Sequence, residues 1–251
     1  MPVYRSEALV LRTYKLGEAD RIVVFLTRDR GKKRGVAQGA RRPRSRFVGV
    51  LEPLTRGRVQ YYERENRELV RINYVDAERS PLMLAGSRAD AALSYVGYFA
   101  ELIDEWAQEA DPNETLFRLG ASALDALAVG VPAERLARYF EYWLLRLQGV
   151  YPSLQSCPDC GRSLKGGAAV VMHDRVMLCP ACAEAHPGAS AALSPDAIRF
   201  LRAARTMTPE AVADAELPVR AARELELAHR RLIASHLEKE LKSARVLREL
   251  R

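Results

Sequence analysis

The stretch RIVVFLTRDRGKKRGVAQGARRPRSR, Arg21–Arg46, decides the fold. Its first part, Arg21–Thr27, is apolar on both faces, which is typical of a strand in the middle of a sheet. The turn Asp29-Arg30-Gly31 follows, and the spacing predicts a further strand over Arg34–Ala40. Small residues stand at the odd positions of that strand, which indicates a barrel kink or a close approach of another backbone. These residues are Gly35, Ala37 and Gly39.

Around this stretch the apolar pattern has a period of two, interrupted by glycine and charge, which predicts five short strands. The predicted strands are Glu7–Thr13, Arg21–Thr27, Arg34–Ala40, Leu54–Tyr62 and Glu68–Asp76. Glu65-Asn66-Arg67 is the predicted turn before the last of them. Five short strands in about 75 residues favour a closed barrel of the oligonucleotide-binding type over residues 1–80. An SH3-like barrel fits the pattern almost as well.

Beyond Pro81 the apolar period becomes that of helices, so the whole chain is predicted to have an α+β fold. The helical domain is predicted over residues 81–156 and 188–251. Its predicted helices include Glu114–Ala128, Ala133–Gln148 and one long last helix from Val219 to about Leu250. The predicted buried stripes include Leu93, Leu147 and His236, and Arg135, Arg138 and Arg146 are predicted to face solvent.

Four cysteines form two Cys-x-x-Cys turns that are separated by eighteen residues: Cys157, Cys160, Cys179 and Cys182. Two such turns can direct four thiolates at one tetrahedral ion, which predicts one structural Zn²⁺ per chain and a zinc-ribbon-like module over residues 157–187. A redox dithiol is disfavoured because no βαβ pattern accompanies it. A catalytic zinc is disfavoured because four thiolates leave no open position. His173 and His186 are predicted surface residues near the module.

Charge is distributed unevenly along the chain. The net charge is +7 for 251 residues, and residues 1–80 alone carry 19 Lys and Arg against 10 Asp and Glu. In Arg28–Arg46, nine of nineteen residues are cationic, so this stretch needs either full solvation or a polyanion. The interpretation favoured here is nucleic-acid binding, with a solvated basic loop as the alternative. We find no apolar run long enough for a membrane span and no enzyme motif, so the prediction is a cytosolic protein that is not an enzyme.

Several of these motifs together resemble the RecO family of bacterial recombination mediators. The resemblance lies in Leu16–Arg21, the turn Thr27–Gly31, Gly39–Arg46 followed by Leu51-Glu52-Pro53, and Leu241-Lys242-Ser243. It implies binding of single- and double-stranded DNA, annealing of complementary strands without ATP, and a nucleoid-associated protein of the cytoplasm. It also implies that this protein, together with the partner RecR, helps to load RecA on DNA coated by the single-strand-binding protein SSB, whose acidic tail such proteins bind.

The candidate DNA-binding residues are the cations of the barrel. They are Lys32, Lys33 and Arg34 at the predicted hairpin, Arg41, Arg42, Arg44 and Arg46 in the connection after it, and Arg56 and Arg58 on the fourth strand. Tyr61 or Tyr62 is a candidate for stacking on bases. Gln38 and Leu54 depart from the family pattern, which often has lysine and an aromatic residue there. A zinc-ribbon adaptor for proteins and an RNA-binding barrel remain the alternative functions.

Overall fold

The computed structural model describes residues 2–64, 67–84, 89–186 and 190–249. Five strands come first, followed by helices with a small three-stranded sheet among them. The strands are β1 Val3–Leu16, β2 Asp20–Thr27, β3 Gly31–Ala37, β4 Arg56–Tyr62, β5 Val70–Arg79, β6 Ala168–Val171, β7 Val176–Leu178 and β8 Ser190–Leu193. The helices are α1 Ala89–Trp106, α2 Glu114–Ala128, α3 Ala133–Leu147, α4 Pro180–Ala183, α5 Pro195–Ala204, α6 Val219–Leu237 and α7 Lys242–Glu249.

The first five strands close into a barrel in the order β1-β2-β3-β5-β4, with β4 returning to β1. All neighbours are antiparallel except β3 and β5, which run parallel over three residue pairs. The α+β fold with a five-stranded barrel of the oligonucleotide-binding type is therefore confirmed. Several strand boundaries were wrong. The one that matters most is that β3 runs from Gly31 to Ala37 and not from Arg34 to Ala40. Lys32 and Lys33 therefore pair with Leu26 and Phe25 inside the sheet instead of standing at the hairpin tip.

The small residues of β3 mark a close approach, as predicted. A Cβ atom on Gly35 would lie 2.8 Å from side-chain atoms of both Val70 and Ile72 on β5. A larger residue would push these two strands apart, so glycine allows the parallel pairing that closes the barrel. The barrel interior is filled by apolar side chains from every strand: Ala8, Val10, Val23, Phe25, Ala37, Val59, Tyr61, Val70 and Ile72. Tyr61 is fully buried, so of the two tyrosines only the half-buried Tyr62 is placed to stack on a base.

Contacts along the chain define two compact units, residues 1–128 with 243–251, and residues 129–242. In the first unit α1 and α2 pack on β1. Gly120 of α2 allows this, since a Cβ there would lie 2.8 Å from Leu9 and 2.6 Å from Ile103. The predicted domain boundaries at residues 80, 156 and 188 stay predictions. The predicted turn at Glu65-Asn66, the module boundary at 187–188 and the helix end at Leu250 lie outside the described residues.

The second unit combines α3, α5 and α6 with the sheet β7-β6-β8. Ser194 and Pro195 begin α5 as a capping serine and a first-turn proline, since the Ser194 hydroxyl accepts from the Ala197 N–H. The long last helix was predicted wrongly, because Glu238 adopts the left-handed conformation at φ 55° and ends α6. Leu93 and Leu147 were also placed wrongly, since they are 41% and 38% exposed.

The predicted positions of Arg138 and His236 were wrong, and Arg138 belongs to a buried polar chain in the second unit. His236 is exposed, whereas Arg138 and His229 are buried. Glu141 accepts from Arg138 at 2.8 Å and lies 2.9 Å from Nδ1 of His229, whose Nε2 lies 3.0 Å from the Tyr151 hydroxyl. Burial lowers the pKa of His229 despite the carboxylate beside it, so this imidazole is neutral when the chain is folded.

None of the helices described in this structure is both long enough and apolar enough to cross a membrane.

Candidate nucleic-acid interface and metal centre

The basic connection between β3 and β4 is held at its start by the turn between β1 and β2. The Asp20 carboxylate accepts a hydrogen bond from the Gly39 N–H at 2.7 Å. The Arg41 N–H donates to the Ala19 carbonyl at 2.9 Å, and its guanidinium donates to the Gly17 carbonyl at 2.8 Å. Two motifs that lie twenty residues apart therefore act together, because the first supplies the acceptors that orient the second.

The same connection is held at its far end by the barrel core. Phe47 and Leu51 are buried among the residues that fill the barrel. The Leu54 N–H then donates to the Val10 carbonyl at 2.7 Å, with Leu54 fully buried in the left-handed conformation at φ 60°. Leu54 was predicted inside the fourth strand, but β4 begins at Arg56 and Leu54 fills the core just before it. The connection is therefore fixed at both ends.

Between these two anchors the arginine side chains point to solvent. Arg41, Arg42, Arg44 and Arg46 are all exposed. The Arg46 guanidinium lies 4.9 Å from the centre of the Phe47 ring, which holds the cation without neutralising it. Within the part of the chain that the structure describes, no carboxylate forms an ion pair with any of these four arginines. Their charge is thus available to an external anion.

The predicted cations on the strands are in a different situation, because each forms an ion pair inside the first unit. Lys32 lies 3.2 Å from the buried Asp104, which also lies 2.6 Å from Arg12, and Lys32 donates to the Asp104 carbonyl at 2.6 Å. The other pairs are Lys33 with Glu63 at 2.9 Å, Arg34 with Glu109 at 3.8 Å, Arg56 with Asp125 at 2.8 Å and Arg58 with Glu78 at 3.5 Å. The structure thus divides the nine predicted residues into five paired strand cations and four unpaired connection cations.

Sequence reasoning missed the carboxylates that make this division. Asp104 lies on α1, 72 residues from Lys32, and no local pattern links the two. Asp20 had a signal, because it belongs to the motif Leu16–Arg21 that carries the family resemblance. The motif alone did not reveal that its carboxylate binds the backbone at Gly39.

The four cysteines come together in the second unit. Their sulfur atoms all lie within 4.8 Å of one another, and the Cys160 and Cys179 sulfurs are 3.6 Å apart. A tetrahedral zinc ion with Zn–S bonds of about 2.3 Å needs sulfurs about 3.8 Å apart, so the cluster fits one such ion. The antiparallel strands β6 and β7 form a hairpin between the two Cys-x-x-Cys turns, and β8 adds a third strand.

The local backbone favours a thiolate at Cys157, whereas hydrogen bonds with the Cys160 and Cys179 thiols raise the pKa of Cys182 to about 12. Burial of the Cys157 sulfur opposes its ionisation, but hydrogen bonds from the backbone N–H groups of Cys179, Cys160 and Asp159 lower the pKa of this thiol to about 6. Such N–H groups also orient metal ligands and stabilise their charge. His173 and His186 are exposed as predicted, and His186 lies 3.1 Å from Asp159 instead of facing the sulfurs. The chemistry available here is the binding of one metal ion by four thiolates.

Two family models match this chain. The family model described as "Recombination protein O N terminal" matches residues 1–81, and "Recombination protein O C terminal" matches residues 91–245. Together the two models cover the barrel, the helices and the four cysteines.

Curated relatives with the name "DNA repair protein RecO" match over shorter segments. The protein of Koribacter versatilis is 44% identical over 160 residues, which is 64% of this chain and 64% of the relative. The proteins of Pelotomaculum thermopropionicum and Geobacter metallireducens are 36% and 37% identical, over 66% and 65% of this chain and 63% and 66% of their own lengths. The matched segments thus span slightly less than two thirds of these relatives. The chain belongs to the RecO family, whose members act in DNA repair and recombination.

Proposed function

We propose that this protein binds single- and double-stranded DNA and anneals complementary strands without ATP. The observation that carries the proposal is the fixed connection after β3, which presents Arg42, Arg44 and Arg46 to solvent and in which none of the three is paired with a carboxylate of the described residues. Two DNA strands repel each other, and cations that neutralise phosphates on both strands lower this barrier while the bases stay free to pair. No covalent step is needed, so the proposed activity is that of a mediator and not of an enzyme.

The proposed partners follow from the family. Relatives are named for DNA repair, and we propose that with RecR the chain helps to load RecA on DNA coated by SSB. We propose that the acidic tail of SSB binds in a cavity of about 170 Å³ in the second unit. Arg146 and Arg205 line it beside the aromatic rings of Tyr142 and Tyr151, a combination that suits a carboxylate next to apolar side chains.

For the cysteine cluster we propose one structural Zn²⁺ ion, held by Cys157, Cys160, Cys179 and Cys182. Zinc supplies folding free energy where a small module cannot bury a sufficient core, on the order of 10 kcal/mol in peptide models. Cys179→Ser should therefore reduce the zinc content measured by atomic emission and lower the melting temperature together. The exposed His186→Ala is the matched control and should change neither. A Cys179→Ser protein with full stability would contradict the structural role.

The proposed function is tested most simply by annealing. Two complementary DNA strands that carry a donor and an acceptor dye are mixed with the protein, without nucleotide, and energy transfer is followed over time. Annealing should be faster than without protein, and the variant Arg42→Gln/Arg44→Gln/Arg46→Gln should lose most of this acceleration. If the wild-type protein leaves the rate unchanged, or if an RNA competitor abolishes DNA binding at far lower concentration than DNA does, the proposal fails.

A further inference from the structure

A cavity of about 620 Å³ opens at the end of the barrel where β4 ends and β5 begins. Its polar lining comes from Gln38 after β3, from Tyr62 at the end of β4, and from Arg64, Arg67, Glu68 and Arg71 around the start of β5. Of these residues only Gln38 belongs to the connection that carries Arg42, Arg44 and Arg46. The cavity is therefore formed mainly by other residues of the same unit.

The cavity lies beside the start of β5, where segments of three strands meet. β5 pairs there with β3, from Gly35 with Val70 to Ala37 with Ile72, and with β4 as far as Tyr62 and Arg71. Val36 and Val70 are among the residues that line the cavity.

The lining combines the groups that a nucleotide needs. Arg64, Arg67 and Arg71 bring three positive charges, and Glu68 is the one carboxylate among the described lining residues. The half-buried Tyr62 ring offers a face for stacking, and the Gln38 amide can both donate to and accept from a base edge. The volume lies within the range of about 300–1,000 Å³ that is usual for small-molecule sites.

We propose that this cavity binds one unstacked nucleotide of a DNA single strand, with its base against Tyr62 and its phosphate at the arginines. This inference rests on the proposed DNA binding and adds a selectivity to it. A base within a duplex is paired and stacked, and bringing it out costs a few kcal/mol. The cavity therefore favours single strands, whereas the connection arginines, which contact only phosphates, serve single and double strands alike.

The test compares Tyr62→Leu, which keeps an apolar side chain but removes the ring, with Tyr14→Leu, which changes an exposed tyrosine of β1 outside the cavity. Dissociation constants are measured by fluorescence anisotropy for a thymidine oligonucleotide and for a hairpin duplex with the same number of phosphates. Tyr62→Leu should weaken single-strand binding about tenfold, since stacking on an aromatic side chain contributes about 1–3 kcal/mol per base. The dissociation constant of Tyr62→Leu for the duplex should stay within about twofold of the wild-type value. The same holds for the dissociation constants of Tyr14→Leu for both ligands.

A second ligand separates loss of stacking from a general loss of structure. An abasic oligonucleotide keeps the phosphates but lacks bases, so the wild type should bind it more weakly than the thymidine strand, and Tyr62→Leu should not weaken it further. Gln38→Ala should also weaken binding of the thymidine strand without weakening binding of the duplex, but by a smaller factor than Tyr62→Leu. Equal losses for single strand and duplex, or an unchanged single-strand affinity, would overturn the cavity assignment. If the wild type bound neither DNA, the proposed function itself would fail.

Discussion

The two groups of cations in the first unit differ in what surrounds them and not in their chemistry. The strand cations, Lys32, Lys33, Arg34, Arg56 and Arg58, each lie within 3.8 Å of a carboxylate. The connection cations, Arg41, Arg42, Arg44 and Arg46, have no such partner among the described residues. A dense run of positive charge in a sequence therefore does not identify the charges that are free to bind a polyanion.

The two groups also differ in how their backbone is supported. The strand cations belong to the barrel, and two of them help to attach it to helices: Lys32 pairs with Asp104 of α1, and Arg56 pairs with Asp125 of α2. The connection has no regular secondary structure, but Asp20 and the buried Phe47 fix its two ends. Its arginines are thus held in a defined place without being neutralised, which reduces the entropy lost when they bind.

Among single substitutions that test the difference between the two groups, Asp104→Asn should have the largest effect, and this effect is on stability. It removes the buried carboxylate that Arg12 and Lys32 share, and the Lys32 side chain is only 14% exposed. Loss of one partner from a buried ion pair costs about 3–5 kcal/mol, so urea unfolding should give a free energy of unfolding lower by about 3 kcal/mol. A change below about 1 kcal/mol would contradict the structural role of the strand cations.

An intermediate effect, on DNA affinity, is expected for Asp20→Ala. The direction of the change distinguishes loss of charge from loss of backbone support. Removal of a negative charge near the connection should strengthen DNA binding if charge alone mattered. Loss of the hydrogen bond from Gly39 should instead loosen the connection, because a hydrogen bond to a charged group contributes about 1.5–3 kcal/mol to stability. We therefore expect DNA affinity to fall several-fold. Anisotropy measures this affinity, and Asp20→Asn, which keeps an acceptor oxygen, is the control. Tighter binding by Asp20→Ala would show that the connection needs no support.

The smallest effect is expected for Arg58→Gln. Arg58 is 71% exposed and its contact with Glu78 is 3.5 Å long, so this surface pair should contribute less than about 1 kcal/mol to stability. DNA affinity should stay within about twofold of the wild type. A loss of affinity of tenfold or more would move Arg58 into the group of DNA-binding residues.

Local patterns predicted the parts of the fold that depend on neighbouring residues. The five strands, helix α2 at Glu114–Ala128 and the clustering of the four cysteines follow from periodicity, capping and spacing. The break after α6 was missed because it falls at Glu238, with no glycine or proline to signal it. The burial of Arg138 and His229 was missed as well, since it depends on Glu141 and on packing between α3 and α6.

The candidate interface was predicted only in part for the same reason. Charge density identified Arg28–Arg46, but the acids that neutralise the strand cations come from distant positions such as Asp104 and Glu109. The cavity beside Tyr62 is lined by residues from three separate segments of the chain, so no single segment predicts it.

The most direct test of the central claim is a salt titration of single-strand binding with two matched triple variants. Arg42→Gln/Arg44→Gln/Arg46→Gln neutralises three connection cations, and Lys33→Gln/Arg34→Gln/Arg58→Gln neutralises three strand cations. At about 0.7 per phosphate contact, the first variant should reduce the slope of log K against log salt by about 2, and the second should leave it unchanged. Equal changes in both variants, or no change in the first, would contradict the claim that the connection arginines form the DNA-binding surface.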